Sequence, residues 1–168
     1  VLSSANNPYG NETNSQGVYF IRCAGRRIEI RDARIEATLV LFDPSLDSLV
    51  SGSVHWKAAA SGMPSLVTSG SITLSLSSMG LAENLQATNF NPAHTPYRQH
   101  SDADLVDTYP SRIFAPLLIA GDLIADSVPL ASVDGGVYVF GSMTVLNGLQ
   151  VQRDDRLQDS PPPGLRLE

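Results

Sequence analysis

The sequence predicts an all-β protein, specifically a single-stranded parallel β-helix (a solenoid) that carries one long loop insertion. Two observations support this fold class. Apolar residues occupy alternate positions over long stretches, which is the period of a strand with one buried face. In addition, a phrase of strand, glycine and strand recurs around Gly70, Gly121 and Gly141, in SGSITL, AGDLIA and FGSMTV. The β-sandwich, in which short strands and glycine turns also recur, is the alternative.

The interval from Gly121 to Gly141 gives the length of the repeating unit. Each of these glycines is followed by residues of strand character at alternate positions. One coil of about twenty residues cannot bury its own apolar side, whereas stacked coils bury a continuous column. Glycine suits the corners of such a coil because a sharp bend often needs positive φ or leaves no room for a Cβ atom. The strands of stacked coils would pair in parallel.

Changes in composition divide the chain into parts. Residues 1–16 are polar and without apolar periodicity, and they predict a flexible N-terminal arm. Residues 17–151 are the predicted solenoid domain. Its insertion, at about 76–112, is polar and irregular, and predicts an ordered loop packed against the side of the stack. Residues 152–168 form a polar, proline-rich tail, whose three consecutive prolines cannot continue a strand ladder.

Composition and charge exclude several classes of function. With 168 residues, the chain is long enough for one domain with a sizeable core. Its net charge of −6 argues against binding nucleic acid or anionic lipid through bulk electrostatics. Cys23 is the single cysteine, so an internal disulfide framework is excluded. The sequence contains neither an apolar run of the roughly 18–20 residues that a membrane span requires nor the Gly-x-Ser-x-Gly elbow of a catalytic serine.

Three acidic residues in the insertion are the candidate metal ligands. Asp102, Asp104 and Asp107 lie close together in SDADLVDTY, and Ca²⁺ favours several carboxylate oxygens. The stretch lacks the glycine and the final glutamate of an EF-hand loop. Acidic side chains at this spacing also cap turns and accept backbone hydrogen bonds, so a structural role without any cofactor is the simpler interpretation. His94 and His100, in the same segment, lack the compact spacing of a transition-metal site.

An arginine-rich segment is the candidate binding surface for a partner. Arg26, Arg27, Arg31 and Arg34 lie close together in the chain and are interleaved with acidic residues. This pattern is typical of a solvent-exposed face on which charges pair across neighbouring strands. It would also suit a docking patch for an acidic protein partner or a polysaccharide.

The repeated phrases carry a family resemblance. GDLIA and GSMTV resemble the phrases of small single-stranded β-helix proteins, including the bactofilin-like polymer-forming family. GVYFI and YPSRI are similar to segments of bacterial envelope proteins associated with pilus-type assembly. The resemblance implies a rigid β-solenoid in the bacterial envelope or outside the cell, with a cytoplasmic scaffold filament as another setting, and it transfers no active-site residue to this chain.

We therefore predict a non-enzymatic structural or protein-interaction module that presents a rigid solenoid face. Its partner would be another protein or a second copy of the chain. An uncapped coil exposes unpaired backbone groups that invite strand addition. The alternative is a carbohydrate-binding or carbohydrate-active β-helix protein, which rests on analogy of fold alone. Neither function needs nucleic acid or a membrane span within this chain.

Overall fold

The protein is built almost entirely from strands, which confirms the predicted all-β class. A computed structural model describes residues 1–10, 12–128 and 130–153. The elements of the described part are, in chain order, β1 (Leu2–Ser3), β2 (Val18–Arg22), β3 (Glu29–Glu36), β4 (Thr38–Phe42), β5 (Leu49–Lys57), β6 (Leu66–Thr68), β7 (Ile72–Leu76), β8 (Leu81–Ala82), α1 (Glu83–Gln86), β9 (Thr108–Tyr109), β10 (Arg112–Ile113), β11 (Leu117–Ile119), β12 (Leu123–Ala125), β13 (Ala131–Gly135), β14 (Val137–Val139), β15 (Met143–Val145) and β16 (Leu149–Arg153).

Most strands belong to two large sheets in which every described pair is parallel. The five-stranded sheet, which we call ladder A, has the order β14-β11-β6-β4-β2. The nine-stranded sheet contains two series, because β5 pairs with β7 in its first half and with β10 in its second half. Ladder B contains the first halves of β3 and β5, then β7, β12 and β15. Ladder C contains β1, the second halves of β3 and β5, then β10, β13 and β16. This pairing is not that of the antiparallel β-sandwich.

The register of ladder A has the same spacing as the glycine repeat in the sequence. In ladder A, Val18 pairs with Thr38 and Leu117 pairs with Val137, so both steps equal the interval from Gly121 to Gly141. The step is longer between β4 and β6, where Leu39 pairs with Leu66. The pairing therefore continues across connections of different length.

The three repeated glycines lie in a column, as the repeat predicts. Gly141 N donates a hydrogen bond to Gly121 O at 3.2 Å. A Cβ atom on Gly141 would lie 2.7 Å from Gly121 O, and one on Gly121 would lie 2.5 Å from Gly70 C. No side chain fits at these contacts, so glycine is required by the close approach of successive backbones.

β3 and β5 bend at the point where each passes from ladder B into ladder C. Asp32 in β3 and Gly52 in β5 both have positive φ, at 43° and 70°. Asp32 Oδ1 accepts a hydrogen bond from Ser53 N at 2.8 Å. Aspartate enters this backbone region more readily than most residues, because its short side chain bonds locally to the backbone. The bend directs the two halves of each strand to different neighbours.

One hydrophobic core receives side chains from all three ladders. The inward row of ladder A runs through Leu39, Leu66 and Leu117, which are at most 3% exposed. Trp56 is fully buried, and its Nε1 donates to Ala37 O at 2.9 Å, so its polar atom is satisfied. Ladders B and C add further buried side chains, among them Val50, Leu74, Ile35, Ile113 and Val133.

The N-terminal segment is more ordered at its start than the sequence indicates. Residues 1–16 were expected to form a loose arm, yet β1 pairs with β3 and Leu2 is buried. The physical reason is that Leu2 pairs with Ile35 and extends the apolar inward row of ladder C by one residue. Of the tail expected at 152–168, residues 154–168 lie outside the described residues.

The segment between β7 and β10 packs against the outer side of ladder C. It contains β8, α1 and β9, and β8 pairs antiparallel with β9. Leu81, Phe90 and Tyr109 form a small apolar cluster within it. We call residues 77–111 the insertion. In the chain it lies between β7 of ladder B and β10 of ladder C, and all three ladders have strands that precede it and strands that follow it.

Candidate functional site

The insertion covers two polar side chains that point away from the core. Ile35 and Trp56 are neighbours in ladder C and face inward, so the preceding residues, Arg34 and His55, face outward. Both are nevertheless fully or almost fully buried, because the insertion lies over them. Burial of an arginine away from the core requires that its charge and donors be satisfied locally.

Arg34 holds the insertion through its guanidinium group. Its Nη1 donates to Thr95 O at 2.7 Å and also to Phe90 O, and its Nη2 donates to Pro96 O at 3.0 Å. The same Nη2 forms an ion pair with Glu36 Oε1 at 2.7 Å. Arg34 therefore does not belong to the predicted docking patch, because it is buried and its Nη1 and Nη2 already donate to carbonyl groups of the insertion.

The other three arginines of that patch are exposed and lie together at one end of the molecule. Arg27 and Arg31 flank Glu29, at 3.0 Å and 3.3 Å from its carboxylate oxygens. Arg26 is exposed beside them. Exposed ion pairs of this kind contribute little to stability. Arg27 also pairs with Asp47 at 3.9 Å. Residues 18–33 contain four arginines and two acidic residues, so this stretch of chain keeps a positive excess.

A cavity of about 460 Å³ opens beside these arginines. Its apolar lining includes Ile21, Ile28, Ile30 and Leu39, and Pro8 and Tyr9 of the N-terminal segment border it. Arg27, Glu29 and Arg31 also line it. This combination of an apolar floor and a charged border could not be read from the sequence, because it depends on where ladders A and B end.

His55 is held as a neutral side chain. Its Nδ1 lies 2.9 Å from Pro110 O, so Nδ1 carries the hydrogen and donates it. Burial lowers the pKa of His55 to about 4, and the nearby positive charges of Lys57 and Arg34 act in the same direction. The imidazole packs edge-on against Tyr97, with 5.3 Å between ring centroids. A neutral, buried histidine of this kind anchors the insertion.

His55 predicts a specific dependence of stability on pH. The pKa in the folded protein lies below the ordinary value of 6.5, so the unfolded chain binds more protons between the two values. Stability should therefore fall as the pH drops from about 6.5 to about 4, by about 3 kcal/mol for the full shift. We expect His55→Asn, whose amide still donates to Pro110 O, to lose this part of the dependence in urea unfolding curves. An unchanged pH dependence in the variant would contradict the assignment.

A second polar group in the insertion contains three carboxylates. Oxygens of Glu83, Asp102 and Asp107 lie within 4.8 Å of one another. Asp104, the third predicted ligand, is not among them, since it accepts a hydrogen bond from Val106 N at 3.2 Å. Glu83 was missed because it precedes the aspartates by many residues, in a stretch without metal-ligand spacing. Only the pairing of β8 with β9 brings it to them.

The carboxylate group is tied into the backbone of the insertion. Glu83 Oε1 accepts hydrogen bonds from Phe90 N at 2.6 Å and from the Tyr109 hydroxyl at 2.9 Å. Asn91 Nδ2 donates to Asp102 Oδ2 and Asp107 Oδ2, at 3.1 Å and 3.3 Å. Desolvation, reinforced by the charges of Asp104 and Asp107, raises the pKa of Asp102.

These contacts bear on the two interpretations of the acidic residues. Oxygen ligands of this kind are those that Ca²⁺ prefers. However, both oxygens of the buried Glu83 already accept hydrogen bonds, the second from Asp107 N at 3.2 Å. The arrangement therefore fits a hydrogen-bonded brace within the insertion better than a cation site.

The central outward row of ladder A is apolar along its whole length. Its central outward row consists of residues in direct register from the first strand to the last: Phe20, Val40, Val67, Leu118 and Tyr138. Phe42 and Phe140 stand beside the row and are strongly exposed, as is Phe20. The exposed fraction is 77% for both Phe20 and Phe140. The sequence contains this signal, since apolar residues occupy both alternating positions in TLVLF and VYVF, but a one-sided strand pattern does not predict it.

The last described strands leave a second apolar surface. Met143 and Val145 on β15 and Val151 on β16 are about half exposed. In contrast, Leu123 and Ala125 on β12, which pair with Met143 and Val145, are fully buried. Residues 136–152 contain no charged side chain. This stretch is thus uncharged as far as Gln152, and Arg153 follows it at the end of β16.

No helix among the described residues is long and apolar enough to cross a membrane. Comparison of the chain with known proteins finds no matching family model, no matching curated protein and no matching solved structure.

Proposed function

We propose that the chain is a β-solenoid of five coils whose role is structural and interactive rather than enzymatic. In this arrangement ladders A, B and C are the three faces, and each coil contributes one strand or half-strand to each face. The order of the strands along the chain supports it: β11, β12 and β13 follow one another in ladders A, B and C, and β14, β15 and β16 repeat that order. The shared core and the regular step of the first and last coils support it too.

The outer row of ladder A is the observation that carries the functional proposal. A face of a parallel sheet that stays in water is normally polar, and contiguous exposed apolar patches mark sites of interaction. Five registered apolar residues, with Phe42 and Phe140 beside them, make a flat and rigid surface. The row carries no charge, and Arg22, which pairs with Phe42, lies at its margin, so two copies can face each other along the row without burying a charge at its centre. We infer that ladder A binds a second copy of the chain, sheet against sheet.

Sedimentation velocity over about 10 to 500 µM protein tests this function, because that range covers weak interfaces of small area. The weight-average mass is expected to rise above the 17.9 kDa of the single chain. A triple variant, Phe20→Ser, Phe42→Ser and Phe140→Ser, should remain at that mass. The matched control replaces three exposed apolar residues elsewhere, Leu46→Ser, Met79→Ser and Leu85→Ser, and should associate like the natural chain. A chain that stays monomeric throughout would contradict the proposal.

The carbohydrate alternative has less support. The carboxylates that the structure brings together lie in the insertion and bind its own backbone and side chains. The envelope or extracellular location stays a prediction, which localisation of a tagged full-length protein would test.

A further inference from the structure

We propose that the end of the molecule formed by β2 and β3 binds an extended acidic peptide of a partner protein, which adds to β3 as a further strand. The inference rests on the proposed function, because it gives the interaction module a second surface and a class of partner. Three independent features of this end lead to it: a free strand edge, an unfilled apolar space and an excess of arginine.

The first feature is the free edge of β3. On one side β3 pairs with β5 along most of its length. On the other side β1 pairs only with Ile35 and Glu36, and no described strand pairs with residues 29–33. The backbone groups along this stretch are therefore open to a short added strand. Strand addition to such an edge is a recurrent mode of peptide recognition, in which main-chain hydrogen bonds supply the affinity.

The second feature is the cavity at the same edge. Ile30 pairs with Val50, which in turn pairs with Leu74 in ladder B. Val50 and Leu74 are fully buried, whereas Ile30 is only half-buried and lines the 460 Å³ cavity with Ile21 and Ile28. A further strand would place alternate side chains above this inward row. Apolar residues at those positions would complete the burial of the row.

The third feature is the distribution of charge. Arg22, Arg26, Arg27 and Arg31 are all exposed at this end, whereas the same stretch, residues 18–33, holds two acidic residues, Glu29 and Asp32. Asp47, from the connection before β5, also pairs with Arg27 at 3.9 Å. In contrast, residues 114–152 contain no lysine or arginine and three aspartates. A positive end on a chain of net charge −6 selects acidic partners and raises their rate of encounter. The fitting ligand is a peptide in which acidic residues alternate with valine or isoleucine.

Fluorescence anisotropy with a labelled eight-residue peptide tests the inference. In the probe, aspartate alternates with valine or isoleucine; in one control lysine replaces aspartate, and in the other alternate backbone nitrogens are methylated. The probe should bind the full chain with an affinity that falls as salt increases. Both controls should bind at least about tenfold more weakly, because one loses the charge match and the other the strand-edge hydrogen bonds. Equal binding of all three peptides, or no binding of the probe, would overturn the inference.

Variants of the chain locate the site. Arg27→Glu together with Arg31→Glu should weaken binding of the probe by at least about tenfold. The control Arg98→Glu, an exposed arginine in the insertion, should leave it unchanged. Sedimentation of the double variant separates this inference from the proposed function: self-association through ladder A should persist. If the double variant loses self-association and the natural chain ignores the probe, the occupant of this end is a second copy, and the inference is wrong.

Discussion

Replacing Arg34 with leucine is expected to lower the free energy of unfolding by about 3 kcal/mol, because backbone carbonyl groups of the insertion lose the buried guanidinium group that donates to them. Glu36 would lose its partner, and the carbonyl groups of Phe90, Thr95 and Pro96 would lose their donor inside the contact between ladder C and the insertion. Urea unfolding measures the loss. Limited proteolysis should show earlier cleavage within the insertion than in the natural chain.

Two further variants show whether the geometry of the guanidinium group matters. Arg34→Lys keeps the charge but has no planar fork to serve three carbonyls and a carboxylate together, so its stability should be intermediate. Arg26→Leu, at an arginine exposed on the surface, should change the free energy of unfolding by no more than about 0.5 kcal/mol. A loss below about 1 kcal/mol for Arg34→Leu would show that the insertion is held by other contacts.

Adding a single methyl group at Gly121 is expected to destabilise the fold by about 3 kcal/mol, the upper part of the usual cost of overpacking. The Cβ atom of Gly121→Ala would overlap Ser71 N and lie 2.5 Å from Gly70 C, and both are backbone atoms that cannot turn aside. The strands of ladders A and B on either side of the corner would have to separate. The change should appear in the midpoint of urea unfolding without loss of the parallel sheets in the native state.

Gly10→Ala is the matched control, because a Cβ atom there meets only the side chain of Asn7 at 3.4 Å. Its stability should be that of the natural chain within about 0.5 kcal/mol. If Gly121→Ala were as stable as Gly10→Ala, the column of glycines would not be a point of close backbone contact, and its role in setting the coil would have to be abandoned.

The sequence predicts the ladders well, because they depend on local patterns. Alternation identifies strands wherever one side faces the core, and the step from Gly121 to Gly141 gives the register of β11 with β14 and of β12 with β15. The bends in β3 and β5 are not predictable in this way. The alternation changes phase between the inward Ile30 and Ile35, but the pattern alone does not show that the change is made by a positive φ at Asp32.

The candidate sites are predicted less well, because they depend on which outward side chains become covered. Arg27 and Arg31 occupy the outward positions of one alternating run, whereas strict alternation would place Arg34 on the inward side with Ile30. The register shift between Arg31 and Ala33 turns Arg34 outward as well. The insertion then buries Arg34 and leaves the other two exposed. In the same way Asp104 and Asp107 are near in sequence, yet only Asp107 joins Glu83 in the folded insertion. Long-range packing separates residues that composition cannot distinguish.

The length of the insertion is linked to two residues that lie far from it in the chain, Arg34 and His55. Leu66 and its partner Leu117 keep their register although the whole insertion lies between them in the sequence, so the connection at this corner can grow or shrink without disturbing the strands. The loss of the insertion as a cover over ladder C would, in contrast, affect residues elsewhere in the chain. A homologue with a short turn here would leave the positions of Arg34 and His55 in water, where neither an arginine without its carbonyl partners nor a histidine without its aromatic neighbours would be favoured over ordinary surface residues. Evolution at this corner must therefore change a loop and two strand positions together.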